Sequence, residues 1–212
     1  MKQALILRNI VLMSFVAFSM SSAFATAKYI QSSVVKPVDL ENTIYCRDEE
    51  KLKTLGSINQ LNANEQVDRI VIQKKTKQLH LISQGRIYKS FNVAFGPGYS
   101  DGNKFMAADG RTPEGLYYVE KKQGRGESSY YMSLKVSYPN AYDRSFAAKH
   151  RVSAGDLIMI HGFPIDKFGH WAVGETHPRN NWTAGCIAVT DDEIEQIYKV
   201  VSVRTAIEIC PL

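Results

Sequence analysis

Short stretches of alternating hydrophobic and polar residues dominate the chain after residue 65. Residues 87–95 alternate at every second position, which is the period of a β-strand. Apolar runs bounded by turn residues predict further strands over residues 69–73, 78–82, 115–120, 157–160 and 206–209. We therefore expect a mainly β fold with α+β elements: a two-sheet β-sandwich with a few short helices, in one domain over residues 65–212.

Two segments have the period of a helix. Leucines at positions 52, 55 and 61 predict a helix within residues 47–61, inside an N-terminal segment that we assign to residues 26–64. Near the end of the chain, Thr190 and Glu193 form a capping box, which marks the start of a helix. One core-facing stripe follows at helical spacing: Ile194, Ile197, Tyr198 and Val201.

The first 25 residues have the pattern of a signal peptide. Lys2 and Arg8 form a basic start, residues 10–20 are apolar, and residues 23–25 (Ala-Phe-Ala) fit the cleavage rule. The apolar run is shorter than the ~20 residues that a membrane span needs. We expect cleavage near Ala25, export of the protein, and no membrane span in the mature chain. A helix of the core is the alternative interpretation.

The composition excludes several classes of protein. With 44% hydrophobic and 22% charged residues, the chain is neither disordered nor collagen-like. Its 26 basic and 21 acidic residues leave a net charge of +5, too small an excess to indicate a nucleic-acid partner. The local cluster of Lys74, Lys75 and Lys77 is interpreted as a solvated turn.

Three cysteines, at positions 46, 186 and 210, cannot all pair within one chain. An exported protein favours disulfides, and pairing of Cys46 with Cys210 would leave Cys186 as a free thiol. Three independent buried thiols are the alternative, because the sequence does not prove pairing.

Two segments combine into a candidate catalytic pair. His161-Gly162 ends an apolar strand, and Cys186 follows Gly185 in a second segment. A thiol becomes a good nucleophile when an imidazole removes its proton, and that imidazole can return the proton to the leaving group. Gly185 permits a tight turn that could aim the amides of residues 185 and 186 at an oxyanion, and the Gly162 carbonyl could select the imidazole tautomer. A buried structural pair is the alternative.

These segments resemble the catalytic domain of the L,D-transpeptidases of the YkuD type. The family motif is His-Gly, an interval, then Ser/Thr-x-Gly-Cys and a hydrophobic residue, and residues 161–162 and 183–187 match it. Residues 111–117 and 137–140 also match, so the resemblance covers roughly residues 68–209. Residues 182–190 are similar to those of a periplasmic subgroup of murein enzymes that includes a lipoprotein-releasing hydrolase.

The resemblance implies a reaction. The Cys186 thiolate would attack the carbonyl at the L-centre of diaminopimelate in a peptidoglycan stem, with His161 as base and then acid. D-Ala would leave, and a thioester would remain on the enzyme. An amine acceptor gives L,D-transpeptidation. Water gives L,D-carboxypeptidase activity, or amidase activity that releases a murein-linked lipoprotein. No cofactor is implied, and a non-catalytic murein-binding module or an unrelated thiol peptidase are further alternatives.

Six residues are predicted to contact substrate, although core packing is the alternative for the aromatic ones: Tyr130, Tyr131, His177, Trp182, Thr183 and Ala184. Two departures from the family matter. Ala188 stands where many members carry an arginine, and the interval from His161 to Cys186 is longer than usual. The insertion adds His170, an alternative base, and His177. We prefer His161 because a strand positions a side chain more accurately than a loop. A zinc site formed by the three histidines is a further alternative.

Overall fold

Eight strands, four short α-helices and one 3₁₀ helix (Tyr99–Asp101) make up the fold in the computed structural model, which describes residues 42–63 and 65–212. The strands are β1 (Val67–Gln73), β2 (Gln78–Ser83), β3 (Arg86–Asn92), β4 (Gly115–Gln123), β5 (Ser133–Val136), β6 (Met159–His161), β7 (Ile187–Ala188) and β8 (Val201–Cys210). The helices are α1 (Glu49–Lys53), α2 (Ala141–His150), α3 (Lys167–Gly174) and α4 (Asp191–Val200). Within this part of the chain, no helix is long and apolar enough to cross a bilayer. The predicted signal peptide lies outside the described residues.

The strands follow one another in the order β3-β2-β1-β8-β4-β5-β6-β7. Strand β4 belongs to two sheets, because its first half pairs with β8 and its second half pairs with β5. At the far ends of this order, Ala94 and Ala188 exchange two backbone hydrogen bonds of 3.0 and 2.8 Å. The prediction of a mainly β fold with a few short helices is confirmed, and the two predicted sheets are joined through β4.

The interior between the strands is apolar and is closed at one side by α4. Ile194 and Ile197 of this helix are fully buried against the strands, as their spacing predicts. The predicted capping box is confirmed, because the Thr190 side chain accepts the Glu193 N–H and the Glu193 side chain accepts the Thr190 N–H. Val201, the last residue of the predicted stripe, already belongs to β8.

The segment before β1 is attached to the last strand. A disulfide joins Cys46 to Cys210, so this pairing is confirmed and Cys186 is a free thiol. Next to the disulfide, the buried Glu208 carboxylate accepts the backbone N–H groups of residues 44, 45 and 46 and pairs with Arg69. The predicted domain boundary near residue 64 stays a prediction.

The helix predicted over residues 47–61 is wrong in its length. Helix α1 ends at Lys53, because the following residues pair with β3 instead of continuing the helix. The Ile87 N–H donates to the Gly56 carbonyl, and the Ile58 N–H donates to the Ile87 carbonyl, both at 2.9 Å. These contacts with a distant strand satisfy backbone groups that helical bonds would otherwise use.

Candidate active site

Cys186 lies at the wall of a cleft of about 550 Å³. It precedes β7, which pairs in parallel with β6, so that Ile187 lies opposite Ile160. The thiol is almost completely buried. The other residues that line this cleft are Gln123, Gly126, Glu127, Ser128, Ser129, Tyr130, Leu157, Met159 and Ile165.

His161 ends β6 and is fully buried. Its Nδ1 atom lies 2.6 Å from the Gly162 carbonyl oxygen. A carbonyl only accepts hydrogen bonds, so Nδ1 carries the hydrogen and Nε2 presents a lone pair. Among the described residues, Nε2 has no hydrogen-bond partner. The tautomer that we expected from the Gly162 carbonyl is therefore the one that the geometry selects.

Gly162 is also required by its surroundings. A Cβ atom at this position would lie 2.6 Å from a carboxylate oxygen of Asp191 and 2.9 Å from a methyl group of Ile194. The same Asp191 oxygen accepts the Phe163 N–H at 2.7 Å. The turn after β6 therefore packs directly on the start of α4, which holds the histidine in place.

The Cys186 thiol and the imidazole are not hydrogen-bonded to each other. The thiol instead donates to the Leu157 carbonyl at 3.4 Å. Leu157 has φ +60 and its side chain is 59% exposed. The strand predicted over residues 157–160 is therefore wrong at its first two residues, because β6 begins at Met159. This backbone turn aims the Leu157 carbonyl at the thiol.

Burial keeps both groups of the pair neutral near pH 7. It raises the pKa of the Cys186 thiol, although a hydrogen bond from the Met159 backbone and the charge of Lys104 lower it. It also lowers the pKa of His161 to about 4, and the nearby His177 contributes to this decrease. The structure therefore favours a protonated Cys186 thiol and an unprotonated His161 imidazole.

Tyr130 lies near both members of the pair. Its ring stacks on the His161 imidazole with 3.6 Å between centroids, and it lines the cleft beside Cys186. Burial raises the pKa of Tyr130, and the neighbouring Cys186 adds to the increase. The structure thus brings together three of the residues that the sequence predicts for one site.

The loop before Cys186 is stabilised by its own side chains. The Thr183 hydroxyl donates to the Cys186 carbonyl at 2.8 Å and accepts the Gly185 N–H at 3.1 Å. The Gly185 amide is therefore already bonded, which corrects the expectation that it faces an oxyanion. Gly185 has φ +124, and a Cβ there would lie 2.5 Å from the Arg111 carbonyl oxygen, so this position requires glycine.

Residues that the sequence analysis did not assign to the site support this loop. The Thr112 hydroxyl donates to the Gly185 carbonyl at 3.0 Å. Two residues later, the Glu114 carboxylate lies 2.5 Å from Lys74 Nζ, and this lysine is 0% exposed. The solvated turn predicted for Lys74 is therefore wrong, because Lys74 points inward to a partner 40 residues away.

The remaining predicted substrate residues have different surroundings. Trp182 meets the His161 ring edge to face at 5.6 Å, and its Nε1–H lies 3.5 Å from His177 Nδ1. His177 Nε2 is buried and has no hydrogen-bond partner in the described part of the chain. Ala184 is exposed. Tyr131 does not line the Cys186 cleft, and its hydroxyl donates to Glu195 on α4.

The insertion between His161 and Cys186 forms α3. His170 in this helix lies 3.0 Å from Asp191 through Nε2 and is half-exposed. Within residues 42–63 and 65–212, no three His, Cys, Asp or Glu side chains are grouped as a metal site requires. Neighbouring apolar side chains are exposed, namely Ile165, Phe168 and Trp171.

A model of the YkuD family, described as the L,D-transpeptidase catalytic domain, matches residues 67–209. The chain belongs to this family. The match runs from the start of β1 almost to the end of β8, so it includes the His161 and Cys186 segments. This family membership confirms the resemblance that the sequence motifs indicate.

Relatives and solved structures agree with this membership. The chain is 28% identical over 129 residues to "Putative L,D-transpeptidase YafK" of Escherichia coli K12, covering 61% of this chain and 41% of YafK. It is similar in fold to the helical cell shape determining protein Pgp2 of Campylobacter jejuni, with a TM-score of 0.52 and 23% identity. That likeness covers 78% of this chain and 56% of Pgp2. The chain spans less than half of YafK and little more than half of Pgp2.

Proposed function

We propose that the protein is an exported, periplasmic cysteine enzyme that acts on peptidoglycan stem peptides by L,D-transpeptidation. The observation that carries this proposal is the buried His161 Nε2, a lone pair with no partner among the described residues, together with the free Cys186 thiol at the wall of a cleft. Tyr130 links the two, because it lines this cleft and stacks on the His161 ring. A buried nitrogen without a hydrogen-bond partner costs free energy, and a role in catalysis explains why it is retained. Membership of the YkuD family supplies the substrate class.

The proposed reaction starts from the neutral pair. When a stem peptide enters the cleft, the Cys186 thiol turns from the Leu157 carbonyl and transfers its proton to His161 Nε2. Such contacts often form only in the Michaelis complex. The sulfur attacks the carbonyl at the L-centre of diaminopimelate, and a thioester forms. His161 returns the proton to the amine of the departing D-Ala.

The second half of the reaction regenerates the thiol. An acceptor amine attacks the thioester, its proton passes to His161 Nε2, and the sulfur leaves and takes that proton back. The Met159 backbone hydrogen bond and the charge of Lys104 lower the pKa of the thiol, so they stabilise the sulfur when it leaves as thiolate. The Cys186 amide stays our prediction for the oxyanion donor.

The cleft supplies surfaces for the substrate. Tyr130, Leu157 and Ile165 offer apolar walls near the thiol. The unpartnered His177 Nε2 is a polar group that a stem peptide could satisfy, while Trp182 packs between His177 and His161. Contact of Thr183, Ala184 and Tyr131 with substrate stays a prediction, and the bonds of Thr183 within its loop favour a supporting role.

Hydrolysis is the second candidate function. If water replaces the amine, the same thioester yields L,D-carboxypeptidase activity, or amidase activity that releases a murein-linked lipoprotein. The contacts of the thiol favour neither acceptor. The name of YafK favours transpeptidation, and Pgp2, which is similar to this chain in fold, is a helical cell shape determining protein.

The deciding experiment is mass spectrometry of muropeptides after incubation of tetrapeptide-rich murein with the mature protein. Transpeptidation is expected to produce new cross-links together with released D-Ala, and the intact protein should carry a thioester mass adduct on Cys186. Tripeptides without cross-links would instead indicate the hydrolytic function. Unchanged muropeptides and no adduct would overturn the proposal in favour of a non-catalytic murein-binding module.

The acid limit of activity follows from the burial of His161. Because its pKa is lowered to about 4, the imidazole stays unprotonated, and so able to accept the thiol proton, well below the pH at which a solvated histidine protonates. As the pH falls, we expect kcat/KM for a soluble tetrapeptide to decrease with an apparent pKa of about 4, not with the ~6.5 of an unperturbed histidine. His170→Ala serves as the control and should leave this limit in place. A limit centred near the unperturbed value would contradict the role of a buried base.

A further inference from the structure

A second cleft, of about 420 Å³, lies outside the catalytic cleft and shares no lining residue with it. It is formed by residues of β4 and β8, by the segment between β5 and α2, and by the start of α2. Tyr118 and Ser137 line it, together with Arg144 from α2 and Arg204 from β8. Nothing in the proposed catalytic reaction uses these residues.

The charge of this cleft is entirely positive. Its ten lining residues include two arginines and no acidic residue. Elsewhere in the fold, Arg69, Arg86 and Arg125 each lie beside a carboxylate. In the described chain, neither Arg144 nor Arg204 forms an ion pair of this kind. The two guanidinium groups are therefore available to an anion from outside.

The arginines are held in place by contacts that leave their charge uncompensated. The Arg204 guanidinium lies 3.9 Å from the centre of the Tyr118 ring. Arg144 donates to the Pro139 carbonyl, which uses only part of its five N–H groups. Ser137 Oγ accepts the Tyr118 N–H at 3.0 Å, so its own hydrogen can be donated to a ligand.

Arg204 is also held in an unfavourable backbone conformation. Its φ of +75 lies in the left-handed region, which costs free energy for a residue with a side chain. Such strain persists where the surrounding structure enforces it and is common at binding sites. Here it occurs at the strand residue whose side chain reaches the cleft.

We propose that this cleft binds a carboxylate of a peptidoglycan stem peptide and so docks the polymer at a second point, while another stem occupies the Cys186 cleft. This inference rests on the proposed function for its ligand. An arginine matches a carboxylate through two parallel hydrogen bonds, and Tyr118 adds an apolar surface for the peptide beside it. A phosphate group has similar chemistry, so the test separates the two sources.

The test measures binding of the full mature protein to intact murein sacculi by co-sedimentation. Arg144→Gln/Arg204→Gln is expected to weaken binding by at least about tenfold, since two charge-assisted contacts are lost. The matched control is Lys51→Gln/Lys149→Gln, which removes the same charge at two exposed lysines outside the cleft and should bind like wild type. Equal losses in both variants would overturn the proposal, because they would indicate general attraction to a polyanion.

Two further arms identify the ligand. Sacculi whose carboxyl groups have been converted to amides should bind the wild type as weakly as native sacculi bind the double-arginine variant. Wild-type binding that survives this amidation would overturn the proposal, as would arginine-dependent binding to phosphatidylglycerol vesicles without binding to sacculi. Competition by inorganic phosphate at concentrations where acetate has no effect would assign the cleft to a phosphate ligand and would likewise overturn it.

Failure of this inference is distinguishable from failure of the proposed function. If the double-arginine variant loses sacculus binding while wild-type protein leaves soluble tetrapeptide unchanged, the catalytic proposal fails and the proposal of a second, docking cleft is retained. If wild-type protein converts soluble tetrapeptide but the arginine variant binds sacculi normally, the docking cleft fails alone. Unchanged melting temperatures ensure that the variants are compared as folded proteins.

Discussion

Cys186→Ser is expected to lower the turnover of murein tetrapeptide by at least about 10³-fold while the fold stays intact. The serine hydroxyl fits the space of the buried thiol, but it ionises far less readily. The base available to it is an imidazole with a pKa of about 4, too weak to activate an alcohol efficiently. The measurement is kcat on a soluble tetrapeptide, with circular dichroism as the control for folding.

His161→Ala is expected to lower kcat by about 10²–10⁴-fold, the range for general acid–base catalysis. The double variant with Cys186→Ser should be little worse than Cys186→Ser alone, because groups that share one step are not additive. His170→Ala and His177→Ala are the controls. His170→Ala should lose the least activity, because His170 pairs with Asp191. His177→Ala should raise KM more than it lowers kcat, since His177 is proposed to contact substrate.

The ranking of the histidines decides between the alternatives. If His170→Ala is more damaging than His161→Ala, the base lies on the insertion and the assignment of His161 is wrong. If chelators stop the reaction and all three histidines matter equally, a metal site replaces the thiol–imidazole pair. Wild-type turnover in His161→Ala would also contradict the proposed reaction.

The second large effect concerns stability. Lys74→Met is expected to lower the free energy of unfolding by about 3–5 kcal/mol, because it leaves the Glu114 carboxylate buried without its cation. Lys74 Nζ also donates to the Gly102 carbonyl at 2.8 Å, and this bond is lost as well. The measurement is the free energy of unfolding in urea.

Two variants control this prediction. Lys75→Met changes the neighbouring, exposed lysine and should alter stability by no more than about 0.5 kcal/mol. Lys74→Met/Glu114→Leu removes both charges and should recover much of the loss, since a buried ion pair can be replaced by apolar groups at little cost. If Lys74→Met is as mild as Lys75→Met, the buried pair contributes nothing and Lys74 behaves as a solvated residue.

Most of the strands and the last helix could be predicted from local patterns, and the same patterns indicate the candidate catalytic residues. Strand periodicity, the capping box at Thr190 and the apolar stripe of α4 are set by residues close together in the chain. The segments around His161 and Cys186 carry a motif whose residue types match one chemistry, and the family match over residues 67–209 agrees with it. The count of three cysteines likewise indicated that a Cys46–Cys210 disulfide would leave Cys186 as a free thiol, and the structure has this arrangement.

Other features depend on partners that local patterns do not specify. The side chain of Lys74 is buried because Glu114, 40 residues away, faces it. The helix predicted over residues 47–61 ends early because Gly56 and Ile58 bond to β3. The Gly185 amide donates to Thr183 and does not face an oxyanion. The Cys186 thiol donates to Leu157, 29 residues away, and not to His161.

Periodicity and motif spacing thus determine most of the strands, the start of the last helix, and which residue types are candidates for the chemistry. They act over a few residues, where backbone geometry alone sets which side chains share a face. Burial, protonation and hydrogen-bond partners were decided only by the folded chain. They depend on the free energy of contacts between distant segments, and the pKa of His161 follows from the apolar surroundings that these segments create.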